Sequence, residues 1–577
     1  MNKKTKVTDY ITSFLVAQGV THVFEVIGGM TTHLVDSIHR DGKIHIISTH
    51  HEQAAVFAAE AMARISGVPG IAMATSGPGA TNLLTGIGSC YFDSSPAIFF
   101  TGQVNRDEQK GNKTTRQLGF QETDIVRMAA PITKAAWCIQ KPEEIPDLLI
   151  NAFDLAVSGR PGPVLIDIPM DVQRAMIEVQ EPSKVSLNIS EDVDKETIED
   201  LIKSLHEAKR PLVLVGNGVR LSQSTDLFRQ FIAEVKTPVV NSLMAVDSLP
   251  HKDVFRVGMI GTYGNRWANM ALGRADLLLV LGSRLDIRQT GSDVDSFKSD
   301  RIIYHVDCDL AELNNRVKGC RTINADLNVF LSTILPMSKK YTFPYREEWI
   351  SEIKEYKIKW PDTDELKKGK GINPNVFMNQ LSTTSGLATA YITDVGQHQM
   401  WAAQSINLLS HQRYLTSGGM GAMGFALPAA IGASLACSKQ PVVMIAGDGG
   451  FQINIQELQT LARNHLPVKM IILNNQCYGM VRQFQQSYFN ERYQSTCWGY
   501  SAPDFVQVAR AYGIQACTVE NSSDVQDALK QLWRDPQSPF LLQVVIDTLD
   551  NAYPKIAFGR PLTEMEPLAK PLDMEGT

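Results

Sequence analysis

The stretch Pro441–Asn475, PVVMIAGDGGFQINIQELQTLARNHLPVKMIILNN, decides the fold. Its first apolar run, Val442 to Ala446, is short and bounded by glycine, which is the pattern of a buried strand. Gly447-Asp448-Gly449-Gly450 reads as a turn free of Cβ crowding, where backbone amides and one carboxylate can approach a ligand. Ile455, Leu458, Leu461 and Ala462 then recur at helical spacing. Val468 to Leu473 is a second apolar strand, and Asn474-Asn475 stands just beyond its end. The whole is a βαβ unit with its polar residues at the carboxyl ends of strands, where open parallel sheets bind ligands. The Asp448 carboxylate and the Asn475 amide, so placed, suit a hard cation such as Mg²⁺. Such an ion takes few protein oxygens and completes its shell with water and phosphate. Read alone, the same residues are also an ordinary glycine turn and an exposed amide pair.

Working outward, 577 residues predict about three domains. A composition of 44% hydrophobic and 20% charged residues is that of an ordinary soluble chain. The net charge of −6 gives no reason to expect nucleic acid as a partner. No apolar run reaches membrane-spanning length, and the opening MNKKTKVTDYITSFLV, charged and then amphipathic, reads as no signal peptide. Eight cysteines are scattered without a Cys-x-x-Cys pair. That argues against a zinc site or disulfide framework and for a reducing, cytoplasmic setting.

Apolar strand runs alternate with helical patterns along the chain, which predicts α/β architecture with three doubly wound parallel-sheet domains. The first spans 1–185, with strands at Val23–Ile27, Ile44–Ile47, Ile71–Ala74, Ala97–Thr101 and Val164–Ile168. A polar stretch, Glu181 to Lys195, leads to a central domain over 196–340, with strands at Pro211–Val215, Val239–Ser242, Leu277–Leu281 and Ile302–Val306. Lys339 to Lys370 reads as helix plus linker, 375–550 as the third domain, and 551–577 as a Pro-rich tail. In the first domain, Gly28-Gly29 ends a strand, and Glu52 follows His50-His51 in the first turn of an Ala-rich helix. A glutamate there also simply complements the helix dipole.

Five blocks together resemble one family. The interval from Gly447-Asp448-Gly449 to Asn474-Asn475 is similar to the diphosphate-binding signature of thiamine diphosphate (ThDP) enzymes, and HHEQAA resembles their (R/H)HE(Q/G)xA motif. TDVGQHQMWAAQ, GGMGAMGFALPAAIGA and VGMIGTYGNRWANMALGRADLLLVLGSRLDIRQTG resemble acetolactate/acetohydroxyacid synthases, and the resemblance spans nearly the whole chain. It implies a pyrimidine-binding first domain, an FAD-binding-like central domain and a diphosphate-binding third domain. It also implies Mg²⁺ held by the side chains of Asp448 and Asn475 and the backbone carbonyl of Cys477. ThDP contacts fall on Gly28, Gly29, Gly79, Asn82, Gln397, His398, Gly421, Gly447, Gly449, Gly450 and Met480. Glu52 corresponds to the glutamate that hydrogen-bonds N1′ of the aminopyrimidine. Met423 corresponds to the bulky side chain that bends the cofactor. Phe120 and Gln121, in a GFQE that resembles the family's DAFQE, become catalytic-pocket candidates. Arg284, Asp286 and Arg288 align with the family's R-x-D-x-R, and with Asp307 they form the expected FAD contacts. The departure there is Ile260, where the family usually has histidine.

The activity implied is decarboxylation of pyruvate and transfer of the two-carbon unit to a second carbonyl compound. The family also implies a homodimer, with a tetramer open, in which Glu52 of one subunit meets the diphosphate site of another. QCYGMVRQFQQ resembles the family's GMV-x-QWQ segment, so Met480, Val481 and Phe484 become the substrate pocket. Phe484 stands where biosynthetic members carry tryptophan. Three rivals stay open: a larger ketone acceptor such as a keto-deoxysugar nucleotide, a flavin-linked pyruvate oxidase, and a catalytically dead binding protein.

Overall fold

The computed structural model describes residues 3–185, 193–366 and 371–574. Part of the polar stretch read between the first two domains, and part of the linker before the third, lie outside them. The chain builds three six-stranded sheets, each wholly parallel. Strands such as Val442–Gly447 and Val468–Asn474 read as unbroken apolar runs because helices cover both sheet faces, leaving no solvent side to alternate toward.

The first sheet runs, in space, His45–Ser48, His22–Val26, Gly70–Ala74, Ala97–Gln103, Pro163–Pro169, Ala135–Cys138. The third runs Arg413–Thr416, Ala390–Thr393, Val442–Gly447, Val468–Asn474, Phe540–Val545, Gln515–Val519. In chain order both read second, first, third, fourth, sixth, fifth. The central sheet differs. It runs Arg256–Met259, Val239–Asn241, Pro211–Val215, Leu277–Leu281, Ile302–Asp307, Arg321–Asn324, which is the third-to-first, fourth-to-sixth order of dinucleotide-binding folds. Every sheet therefore has a switch point beside its chain-first strand, where successive connections leave in opposite directions and open a crevice at the carboxyl ends.

Two departures from the sequence reading bear on the site. The residues read as a glycine turn start a helix at once, Asp448–Ile453, and the helix expected from Ile455 is a separate one, Glu457–Arg463. Asn454 makes the break: its side chain donates to the Gly424 carbonyl (2.8 Å) instead of continuing the turn. Likewise, Pro78–Asn82 and Leu84–Asp93 are two helices where one was expected from about Ala80.

The largest core joins the first and third domains through two Ala-rich helices, Glu52–Ser66 and Ala426–Ala436. Their small residues let the backbones meet: a methyl group on Gly432 would overlap the Ala58 carbonyl. Phe57 and Phe425 close one end edge to face, with ring centroids 5.3 Å apart. The tail belongs to the central domain. Its hairpin pairs Lys555–Ile556 with Met565–Glu566, Ile556 and Met565 enter the central core, and Arg266 donates to the carbonyls of Met565 (3.0 Å) and Glu566 (2.9 Å).

Candidate active site

The crevice of the third sheet opens between Ala390–Thr393 and Val442–Gly447. Asp448 begins its helix there, buried at 2% exposure. Burial pushes its carboxyl up to about 7, against a hydrogen bond from Tyr500 that favours the charged form. Its Oδ2 is buried without a protein partner. A buried carboxylate oxygen left so costs free energy until a cation or donor meets it, and the arrangement fits a hard metal ion. Asn475 lies nearby, its Nδ2 3.4 Å from Gln397 Oε1 and its Oδ1 accepting from the Cys477 amide at 3.2 Å. Gln397 in turn donates to the Asp550 carbonyl (3.0 Å). His398 is held neutral, burial pushing it down to about 3, and its Nε2 also lacks a protein partner.

Close packing explains the glycines of this crevice. A methyl on Gly450 would sit 2.5 Å from Asp394 Oδ1, one on Gly447 3.0 Å from His398 Nδ1, and one on Gly449 would overlap the Tyr478 ring. Among the described residues, no group of three or more His, Cys, Asp or Glu side chains gathers in metal-binding geometry. A cation here would therefore rest on one carboxylate, an amide oxygen, a backbone carbonyl and its own ligands, as Mg²⁺ commonly does.

The crevice of the first sheet lies between His22–Val26 and Gly70–Ala74. His51 caps the helix Glu52–Ser66, its Nδ1 accepting from the Gln53 amide (3.1 Å), which fixes Glu52 in the first turn. Glu52 is buried and its Oε2 accepts from Asn82 Nδ2 at 2.9 Å. A methyl on Gly79 would stand 3.3 Å from its Oε1. Gly28 packs on Thr75, whose hydroxyl accepts from the Met30 amide after Gly29 (3.3 Å). Gln121, at φ 64°, lies against Gly77. Phe120 beside it is 78% exposed.

Gly421 and Met423 lie on the segment entering the helix Ala426–Ala436. Asp394 fixes its far end, with Oδ1 accepting from Gly424 N (3.0 Å) and Oδ2 from Ala426 N (2.9 Å). Met480 is half-buried on the helix Gly479–Tyr488, while Val481 and Phe484 are 53% and 39% exposed on its outer face. Phe484 stacks with Tyr488 (4.9 Å) and Phe489 (5.7 Å) and is not a core aromatic.

At the central switch point, Arg284, Asp286, Arg288 and Asp307 line one cavity of about 200 Å³ with Asn217, Gly218 and Gly282. Asp286 caps the helix Ile287–Thr290 by accepting from Arg288 N (2.8 Å). Arg284 lies 3.5 Å from Asp286. Burial raises Asp307 to about 6. Ile260, the departure noted above, is buried in the central core. Sequence reasoning passed over Asp394 although it lies inside a quoted block, and it gave no role to Tyr500. The signal available for Asp394 was its place one residue past a strand, the same place that Asp448 holds.

Three family models match in series: the thiamine pyrophosphate enzyme N-terminal TPP binding domain over residues 5–128, the central domain over 198–334 and the C-terminal TPP binding domain over 394–544. The chain is 38% identical over 570 residues to the acetolactate synthase large subunit of Lactococcus lactis subsp. lactis (strain IL1403), covering 98% of this chain and 96% of that one. It is 36% identical over 556 residues to the acetolactate synthase isozyme 2 large subunit of Escherichia coli (strain K12), covering 96% and 98%. The probable acetolactate synthase large subunit of Methanocaldococcus jannaschii is 37% identical over 581 residues, covering 97% and 95%. With ThDP-type crevices in its first and third sheets, the chain belongs to the acetolactate synthase family of thiamine pyrophosphate enzymes.

Proposed function

We propose that the chain is a ThDP- and Mg²⁺-dependent carboligase that decarboxylates pyruvate and passes the two-carbon unit to a second carbonyl compound. The observation that carries this reading is the buried, unpartnered Asp448 oxygen in one switch-point crevice, matched in the other by Glu52 held on Asn82. ThDP, when bound, supplies the carbon nucleophile and the electron sink for decarboxylation. Asp448, the Asn475 amide and the Cys477 carbonyl hold the cation that binds the diphosphate. Gly28, Gly29, Gly79, Asn82, Gln397, His398, Gly421, Gly447, Gly449, Gly450 and Met480 shape the walls of the cofactor site. Glu52 would hold and exchange the proton at N1′ of the aminopyrimidine, Asn82 keeping its carboxyl oriented. Met423 would support the cofactor's bent form, and Gln121 with Phe120 would close the substrate side.

FAD takes the central cavity. Support comes from the strand order of that sheet and from two arginines and two aspartates converging on one cavity. A homodimer is the smallest complete unit, because Ile27, Phe120, Val481 and Trp498, each more than half exposed, need an apolar cover that the single chain lacks. Eight free thiols favour the cytoplasm, and no helix among the described residues is long and apolar enough to cross a membrane. The outward placement of Phe484 favours an acceptor pocket open to ketones larger than pyruvate. Product analysis with labelled pyruvate, alone and with added ketones, tests the reading. Labelled acetolactate, or its homologue on the added ketone, is expected. Oxygen consumption with labelled acetate or acetyl phosphate as the product overturns it.

A further inference from the structure

The segment from Thr416 to Gly424, which carries Met423, leaves its strand and crosses onto the first domain. There it is tied down residue by residue. Arg64 Nη1 donates to the Thr416 carbonyl (2.8 Å), and Ser417 Oγ lies 3.5 Å from Ser89 Oγ while accepting from Ala422 N (3.2 Å). The strongest tie is Asp93, whose Oδ2 accepts from Gly418 N at 2.9 Å and whose Oδ1 accepts from Gly419 N at 2.6 Å. A carboxylate taking two backbone N–H groups fixes both position and direction of the segment. Met423 thus sits between two such clamps, Asp93 before it and Asp394 after it.

Asp93 has a second face. With Phe92, Ser94, Gly418 and Gly419 it walls the central cavity that Arg284 also lines. It is the last residue of the helix Leu84–Asp93 and is otherwise buried, with the charges of Glu60 and Arg64 close by; the Glu60–Arg64 pair is 3.6 Å apart and almost without exposure. The group that fixes the Met423 segment is therefore also a wall of the cavity assigned to the flavin.

We propose that Asp93 is a positioning residue through which occupancy of the central cavity sets the placement of Met423 in the ThDP site. The inference rests on the assignment of a dinucleotide to that cavity. A ligand filling it presses on residues 92–94 and on Gly418–Gly419 together, holding the clamp closed. This gives a cofactor that takes no net electrons in carboligation a reason to be needed for it. Because such coupling is reciprocal, each cofactor must tighten the other by the same factor.

The test measures ThDP affinity by calorimetry in excess Mg²⁺, with and without saturating FAD, on the full chain. In the wild type, FAD should tighten ThDP by about fivefold or more. In Asp93→Asn one oxygen becomes an N–H-bearing nitrogen facing a backbone N–H. At FAD concentrations that absorbance shows to saturate the variant, the effect of FAD on ThDP should fall to within about twofold of none. Gly419→Ala keeps the Asp93 carboxylate but sets a methyl 2.9 Å from Phe92 Cβ and 3.1 Å from Asp93 Oδ1, and should break the linkage in the same way. An undiminished linkage in either folded variant, or a wild type that binds both cofactors independently, overturns the proposal while leaving the cavity assignment standing. A wild type that takes up no FAD overturns the cavity assignment, and this proposal with it.

Discussion

Glu52 and Asp448 share a design in which a carboxylate at a helix start is buried at the mouth of a sheet crevice, and their tests differ with their tasks. Glu52→Gln keeps the hydrogen bond that Asn82 donates, so the fold should survive, but the proton exchanged at the aminopyrimidine is lost. Exchange at ThDP C2, followed by quenched-flow NMR, should slow by about 10²–10⁴-fold, and a near-wild-type rate would remove Glu52 from the mechanism. Asp448→Ala deletes the only carboxylate of the metal set. ThDP binding should weaken by about 3 kcal/mol or more, as when one partner of a buried charge pair is removed. Unchanged Mg²⁺-dependent binding in calorimetry would place the metal elsewhere. These two residues were legible in the sequence because each lies in a short block with fixed neighbours. Asp93 was not: the amides it holds are more than 300 positions away, and nothing local marks an aspartate at a helix end as a clamp.

At the scale of elements, the helix Gly479–Tyr488 presents Val481 and Phe484 outward, where a phenyl ring offers less contact than an indole. A methylene's worth of discrimination is about 1–3 kcal/mol. Phe484→Trp should therefore raise the acetohydroxybutyrate-to-acetolactate ratio by about tenfold when pyruvate and 2-ketobutyrate compete. A wild type already strongly favouring 2-ketobutyrate would show that this position does not set the acceptor. The helix pair Glu52–Ser66 and Ala426–Ala436 allows a second test. Alanine is the better helix former by about 1 kcal/mol, yet a methyl on Gly432 overlaps the Ala58 carbonyl. Overpacking of this kind costs about 1–3 kcal/mol, so Gly432→Ala should lower the denaturation midpoint; a rise would mean that the helices part freely. In the first two six-stranded sheets the apolar runs mark every strand but Ala135–Cys138, Arg256–Met259 and Arg321–Asn324. All three are edge strands, four residues long, and two of them are partly solvated, so they lack the continuous burial that marks a central strand.

For the whole molecule, the exposed apolar residues around the crevices predict that the protein sediments as a dimer or larger at micromolar concentration. A monomer with full turnover would contradict that. The helix contact described above carries one more consequence. The first and third sheets share one strand order, and each Ala-rich helix is the crossover from the second strand to the third of its own sheet. Ala58 and Gly432, which touch, are each the seventh residue of their helix. The contact is therefore isologous, as between the subunits of a two-fold dimer, except that both halves belong to one polypeptide. The chain is built as an internal dimer with a module of dinucleotide-fold strand order inserted between its halves. Along that pseudo-symmetry the approach to Glu52 and the segment bearing Met423 are the same corner used twice: one copy carries a buried carboxylate and the other a thioether.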